Sequence, residues 1–250
     1  MIVVDIGNTN IVIGIYNKKK LKKIIRFNTK DIKLIRKLNN FFNKKKLLKL
    51  KLDSKICTIS SVSLFAQKEI IIFFKSLRFK ILNVNIKTIP KDIKFNYVSG
   101  QLGADRIANT FAAINKYGKN ILVIDFGTAT TFDLITESHY RGGLIAPGIN
   151  ISLDALVDNA SKLNKVPIIK THKIIGNNTK VSIQSGFYWG YLSLINGIIK
   201  KMLMNNNIKT KIILTGGLAK IFQNEISFNT YYEPNLTLEG LYLIAQKKYA

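Results

Sequence analysis

Twice in this chain an apolar run ends on an aspartate and then turns at a glycine with a threonine within two positions. The first copy is MIVVDIGNTN at residues 1–10, the second ILVIDFGTAT at 121–130, about 120 residues later. A short, continuous, β-branched run of this kind reads as a strand buried on both faces. The turn after it carries a residue with freedom of φ and side chains that bond to nearby backbone or to an anion. One such turn is an ordinary hairpin. Two in the same arrangement imply that one strand–turn unit is used twice.

The surrounding patterns repeat as well. IVVDI, NIVIGIY and LKKIIRF read as three strands over residues 2–27. A helical stretch follows at 31–42, opening on Asp31, then a buried strand in SKICTISSV and a helix in FAQKEIIIFFKSL. LGADRIANTFAAINKYG predicts a helix that stops at Gly118. The order then restarts. ILVID, TATTFDLIT and HYRGGLIAPGI are strands, ISLDALVDNA and the long run 181–203 helices, and KIILTGG a strand. Short helices are expected near 218–224 and 237–248. Three strands followed by alternating helices and strands, twice over, predict an α/β chain with two similar halves, 1–115 and 116–250, and a cleft between them.

Composition narrows the class. At 250 residues with 47% hydrophobic and 21% charged residues, the chain suits one large domain or two small ones with real cores. No uncharged apolar run approaches the roughly 18 residues of a membrane span. Cys57 is the single cysteine, which excludes an intrachain disulfide and fits a cytoplasmic setting. In KICTIS it reads as a small buried hydrophobe rather than a nucleophile. The net charge of +25 invites a nucleic-acid reading. Yet the excess is nearly all lysine, in runs such as NKKKLKK and NKKKLLKLK, with abundant Asn and Ile beside it. Those three residues share A/T-rich codons, and base reading favours Arg. Genome bias accounts for the charge without a nucleic-acid partner.

The turns carry the chemistry. In DIGNTN, the backbone around Gly7 and the side chains of Asn8 and Thr9 can approach an anion, and Asp5 can hold Mg²⁺ or its waters beside a phosphate. DFGTAT places Asp125, Gly127, Thr128 and Thr130 alike, and LTGGLA at 214–219 adds a third glycine turn between strand and helix. There is neither a GxxxxGK[ST] loop nor a GxGxxG fingerprint. His139 and His172 lack partners at metal-ligand spacing. Gly186 and Gly190, one helical turn apart, suit close helix packing, and Asp133 and Asp154 are candidates for supporting acids.

Three strand-end glycine turns in this order resemble the duplicated ribonuclease H-like fold of acetate kinases, sugar kinases, heat-shock ATPases and actin. Within it, DIGNTN, LGADRIAN (102–109), DFGTATTFD (125–133), GGLIAPG (142–148), NTKVSIQSG (178–186) and PNLTLEGL (234–241) are similar to motifs of the type III pantothenate kinases. The six span residues 5–241 in family order. This resemblance implies ATP-dependent phosphorylation of pantothenate at its 4′-hydroxyl, the first step toward coenzyme A. It implies Mg²⁺ with ATP, a monovalent cation (K⁺ or NH₄⁺), and a homodimer with its active site near the dimer interface.

Carried across, Asp5, Ile6, Gly7, Asn8, Thr9, Asn10, Ile11 and Val12 would form the ATP-phosphate loop, with Thr128 adding a contact. Asp125 would ligate the monovalent cation. Gly103, Ala104, Asp105 and Arg106 would line the pantothenate site, with Asp105 as catalytic base; Thr179 and Tyr97 would be further substrate contacts. The chemistry suits these types: a carboxylate orients an alcohol and takes its proton, and a guanidinium fork matches a carboxylate or phosphate. Tyr97 stands six residues before Gly103 where the family has seven and a Pro between, and SSVSLF lacks the family's Pro. Two other readings compete: a different small-molecule kinase on this fold, or a basic nucleic-acid-binding regulator that retains it.

Overall fold

The computed structural model describes residues 1–43, 52, 54–90, 93–98, 100–204 and 209–249. Most of the basic run at 43–51 lies outside the described residues. The chain forms two compact units, Met1–Lys116 with Asn235–Ala250, and Tyr117–Pro234.

In the first unit β1 (Ile2–Ile6) lies between β2 (Asn10–Asn17), antiparallel to it, and β4 (Ile56–Ser61), parallel to it. β3 (Lys20–Asn28) and β5 (Lys80–Asn83) complete the order β3-β2-β1-β4-β5. One sheet face buries Val4, Ile6, Ile11, Ile13, Cys57 and Ile59 against α1 (Leu34–Phe41) and α2 (Leu64–Ser76). Burial pushes the Cys57 thiol pKa far up, as expected of an inert core residue. Asp31, expected inside a helix, instead bonds the Lys33 amide ahead of α1 at 2.9 Å. A two-residue strand, β6 (Lys94–Phe95), precedes α3 (Ala104–Tyr117).

The second unit repeats the plan. β7 (Ile121–Phe126) is antiparallel to β8 (Ala129–Thr136), which is antiparallel to β9 (His139–Pro147). β10 (Lys211–Thr215) runs parallel to β7, and β11 (Thr230–Tyr232) parallel to β10. The order β9-β8-β7-β10-β11 matches that of the first unit strand for strand. α4 (Ile149–Asn159), the long α5 (Thr179–Leu203) and α6 (Ala219–Phe222) follow the same chain order. The core is aromatic: Phe222 stacks on Phe126 and Tyr188, and Trp189 meets Tyr188 edge-on.

The last helix, α7 (Leu236–Tyr249), clusters with the first unit, whereas the sequence alone assigns it to the second half. Two contacts explain this. Gly240 lies directly against the backbone of Ala108, where any side chain would collide, and Thr237 donates to Asn109 Oδ1 at 2.8 Å. β5, β6 and β11 are too short and too mixed in composition to stand out in the sequence.

Candidate active site

Both aspartates of the repeated turns occupy the same position in their sheets. Asp5 sits opposite Val12 on β2 and beside Ser60 on β4; Asp125 sits opposite Thr131 on β8 and beside Thr215 on β10. Ser60 and Thr215 are both buried. The Ser60 hydroxyl donates to Asp5 Oδ1 at 2.5 Å.

The turn after β1 is held from behind. Gly7 N–H donates to Asn10 O, Thr29 Oγ1 donates to Gly7 O at 2.8 Å, and the Thr29 amide donates to Thr9 O at 2.9 Å. A trans peptide points its N–H away from its C=O, so the Asn8 amide faces away from Thr29. Asn8, Thr9 and Asn10 are exposed. The equivalent turn after β7 is held in another way. Gly148, at the end of β9, lies so close to Gly127 O and Thr128 O that any side chain there would clash. This gives GGLIAPG a structural reason to end in glycine.

Asp125 is backed by the third glycine turn. Gly216 has φ +91°, and a methyl group there would lie 2.5 Å from Asp125 Oδ1. The LTGG turn therefore leaves room for the Asp125 carboxylate. The adjoining Gly217 faces open space.

Asp105 opens α3. The Arg106 amide donates to its Oδ1 at 2.8 Å, and bare Gly103 makes room for the carboxylate. The Asp105 side chain is half-buried; that of Arg106 is buried. Asp105 is close enough to Asp5 for their charges to interact. Burial, chiefly, and then the Asp105 charge raise the pKa of Asp5 to about 6, against the opposing pull of the Ser60 hydrogen bond and the Arg26 charge. Two carboxylates that repel one another are relieved by a cation. Among the described residues no cluster of three or more His, Cys, Asp and Glu is assembled for a metal. A hard divalent ion that keeps waters and leans on substrate phosphates needs no such cluster.

The remaining candidates spread out. Thr179 is exposed at the start of α5, where Asn178 caps the helix by accepting from the Val181 amide at 3.0 Å. It lines a groove of about 900 Å³ with Leu156, Phe187 and Leu194 and the side-chain-free Gly186 and Gly190. Tyr97 is 36% exposed, between β6 and α3. Asp133 is fully buried and accepts from Tyr140 Oη at 2.6 Å. Asp154 pairs at the surface with Lys165. Sequence reasoning missed Ser60 and Thr29. Their signal is register, because each is set by the strand that lies beside the turn.

A duplicated sheet with an acidic glycine turn after each central strand is the fold of the actin-like ATPase class. Solved structures agree on the fold. A putative Baf family transcriptional activator from Campylobacter jejuni aligns with TM-score 0.62 at 20% identity, over 99% of this chain and 98% of its own. A putative 2-dehydro-3-deoxygalactonokinase from Sinorhizobium meliloti aligns with TM-score 0.58 at 11% identity, over 99% of each chain. The chain belongs to the type III pantothenate kinase family, whose model matches residues 1–201. The type III pantothenate kinase of Pelagibacter ubique is 39% identical, covering 96% of both chains. That of Listeria monocytogenes is 37% identical over 99% of this chain and 97% of its own.

Proposed function

We propose that this protein transfers the γ-phosphoryl group of ATP to the 4′-hydroxyl of pantothenate, the first step of coenzyme A biosynthesis. The observation that carries the reading is family membership along the chain together with intact acids and glycines at each motif. In this reading residues 5–12 receive the ATP phosphates, with Mg²⁺ accompanying the nucleotide, and Thr128 adds an ATP contact. Asp125, in the room left by Gly216, ligates a monovalent cation.

Gly103, Ala104, Asp105 and Arg106 hold pantothenate, with Thr179 and Tyr97 as outer contacts. Asp105 accepts the hydroxyl's hydrogen bond, orients its lone pair toward the phosphorus and takes the proton as the new O–P bond forms. Phosphoryl transfer depends mainly on positioning and charge neutralisation, so orientation by Asp105 counts as much as its basicity. The geometry around Asp105 favours this role: the Arg106 amide fixes one carboxylate oxygen, leaving the other to the substrate.

The protein acts as a homodimer in this proposal, and the groove along α5 supports it. A helix face of bare glycines flanked by Leu156, Phe187 and Leu194 offers close approach and apolar burial to a second copy, with Thr179 on the same groove. No helix among the described residues is long and apolar enough to cross a membrane, in keeping with the cytoplasmic setting proposed. Neither a membrane nor nucleic acid is needed as a partner.

The test is turnover by the purified protein with ATP and Mg²⁺, with and without K⁺, across pantothenate, sugars and acetate. Pantothenate turnover that depends on K⁺ is expected. Turnover of a sugar or acetate but not pantothenate would overturn the substrate. Equal rates when K⁺ is replaced by a large organic cation would overturn the role of Asp125. Steeply salt-dependent DNA or RNA binding without kinase activity would favour the regulator instead.

A further inference from the structure

The duplicated frame permits a position-by-position comparison, and the row through the two aspartates differs at its outer end. In the first unit the register runs Ser60–Asp5–Val12–Arg26 across β4, β1, β2 and β3. In the second it runs Thr215–Asp125–Thr131–Ile145 across β10, β7, β8 and β9. Hydroxyl matches hydroxyl, aspartate matches aspartate and one β-branched residue, Val12, matches another, Thr131, but an exposed arginine stands where the second unit has an exposed isoleucine.

Residues in register on neighbouring strands share a sheet face. Arg26 therefore lies on the face of Asp5, opposite the core face that takes its neighbours Ile25 and Phe27. Its charge reaches Asp5, whose carboxyl it draws down against the effect of burial. Three residues on, Thr29 holds the 7–9 turn through two hydrogen bonds. The end of β3 is thus fixed to the turn, and Arg26 is carried with it.

We propose that Arg26 is a phosphate-binding residue of the nucleotide site, its guanidinium donating to a phosphate oxygen of ATP. This rests on the reading of residues 5–12 as the nucleotide-phosphate turn. A triphosphate beside Asp5 and Asp105 meets two negative charges, and the row supplies an always-charged, planar donor on the same face. The equivalent row of the second unit serves a cation rather than an anion in the proposed scheme, so a cationic side chain has no use there. The chain places Ile145 at that position.

Titration calorimetry with ADP–Mg²⁺ and with adenosine tests the proposal in Arg26→Gln and Arg26→Lys. Arg26 is exposed, so neither variant disturbs a core. Arg26→Gln is expected to weaken ADP by roughly tenfold or more, and Arg26→Lys by less, with adenosine unchanged. The KM for ATP rises in step while the KM for pantothenate stays within about twofold. An ADP affinity unchanged in Arg26→Gln, or an equal loss for adenosine, overturns the proposal. Asn8→Ala separates the two levels. If Asn8→Ala weakens ADP while Arg26→Gln does not, the Arg26 assignment alone is wrong; if neither does, the turn is not the phosphate site.

Discussion

Replacing Gly216 by alanine should damage the second unit far more than the same change one residue later. At φ +91° an L-residue is strained, at a cost of about 1–2 kcal/mol. The added methyl would also lie 2.5 Å from Asp125 Oδ1 and 2.6 Å from Phe126 N and C, distances that side chains do not tolerate. Forced displacement in packed structure costs about 1–3 kcal/mol more, so Gly216→Ala should lose about 2–5 kcal/mol in total. Gly217→Ala meets nothing within 4 Å. It should be neutral or gain about 0.4–1 kcal/mol through the unfolded chain. Urea unfolding followed by the fluorescence of Trp189, the chain's single tryptophan and packed on Tyr188 in this unit, measures both. With a slope of about 2 kcal/mol/M, the Gly216→Ala midpoint should fall by roughly 1–2.5 M. Because Phe126 is backbone and cannot swing aside, the methyl also moves Asp125, and the variant's residual activity should need more K⁺. Equal midpoints for the two variants would refute the account of the LTGG turn.

Asp105→Asn should bind ATP nearly as the parent does while turnover falls by roughly 10²-fold or more, since orientation and proton acceptance are both lost; near-normal turnover would remove Asp105 from the catalytic role. Asp5→Asn should stabilise the ligand-free protein while impairing ATP use. The folded-state pKa of Asp5, about 6, lies above its ordinary value of 3.8, so its favourable contribution is complete below pH ~4 and is lost as pH rises through ~6. At pH 7–8 the wild type carries that loss, about 3 kcal/mol for a shift of about two units, and the asparagine variant does not. Denaturation midpoints that do not converge as the pH falls toward 4 would contradict this. Thr179→Val should raise the KM for pantothenate several-fold and leave that for ATP unchanged; the opposite split would place Thr179 on the nucleotide.

Most of the frame is legible in the sequence because continuous apolar strands and helical spacing are local signals. IVVDI and ILVID declare themselves as central strands, and the acidic glycine turns after them are visible by eye. The helix opening on Asp105 is equally local. What stays hidden is set by neighbours across the sheet. Ser60 looks like one of two serines at the end of a strand until the parallel register places it beside Asp5. Thr29 looks like the end of a strand until its two hydrogen bonds reach the turn. The place of α7 is decided by Gly240 on Ala108, a contact between positions over 100 residues apart, and no local pattern carries it.

The two units also show where identical topology stops dictating chemistry. Both central strands carry an aspartate one residue before their end, both have a buried hydroxyl alongside, and both turns are closed from behind by the chain just after the third strand. Those shared features fix a carboxylate at a turn and nothing more specific. The differences lie in the decoration. Thr29 anchors one turn by hydrogen bonds while Gly148 admits the other by having no side chain. Asp5 shares its surroundings with Asp105 and Arg26, and Gly216 leaves the room that the Asp125 carboxylate takes. A carboxylate among other charges suits a site where anion and cation arrive together. Duplication accounts for the fold, and the departures from it tell the two turns apart.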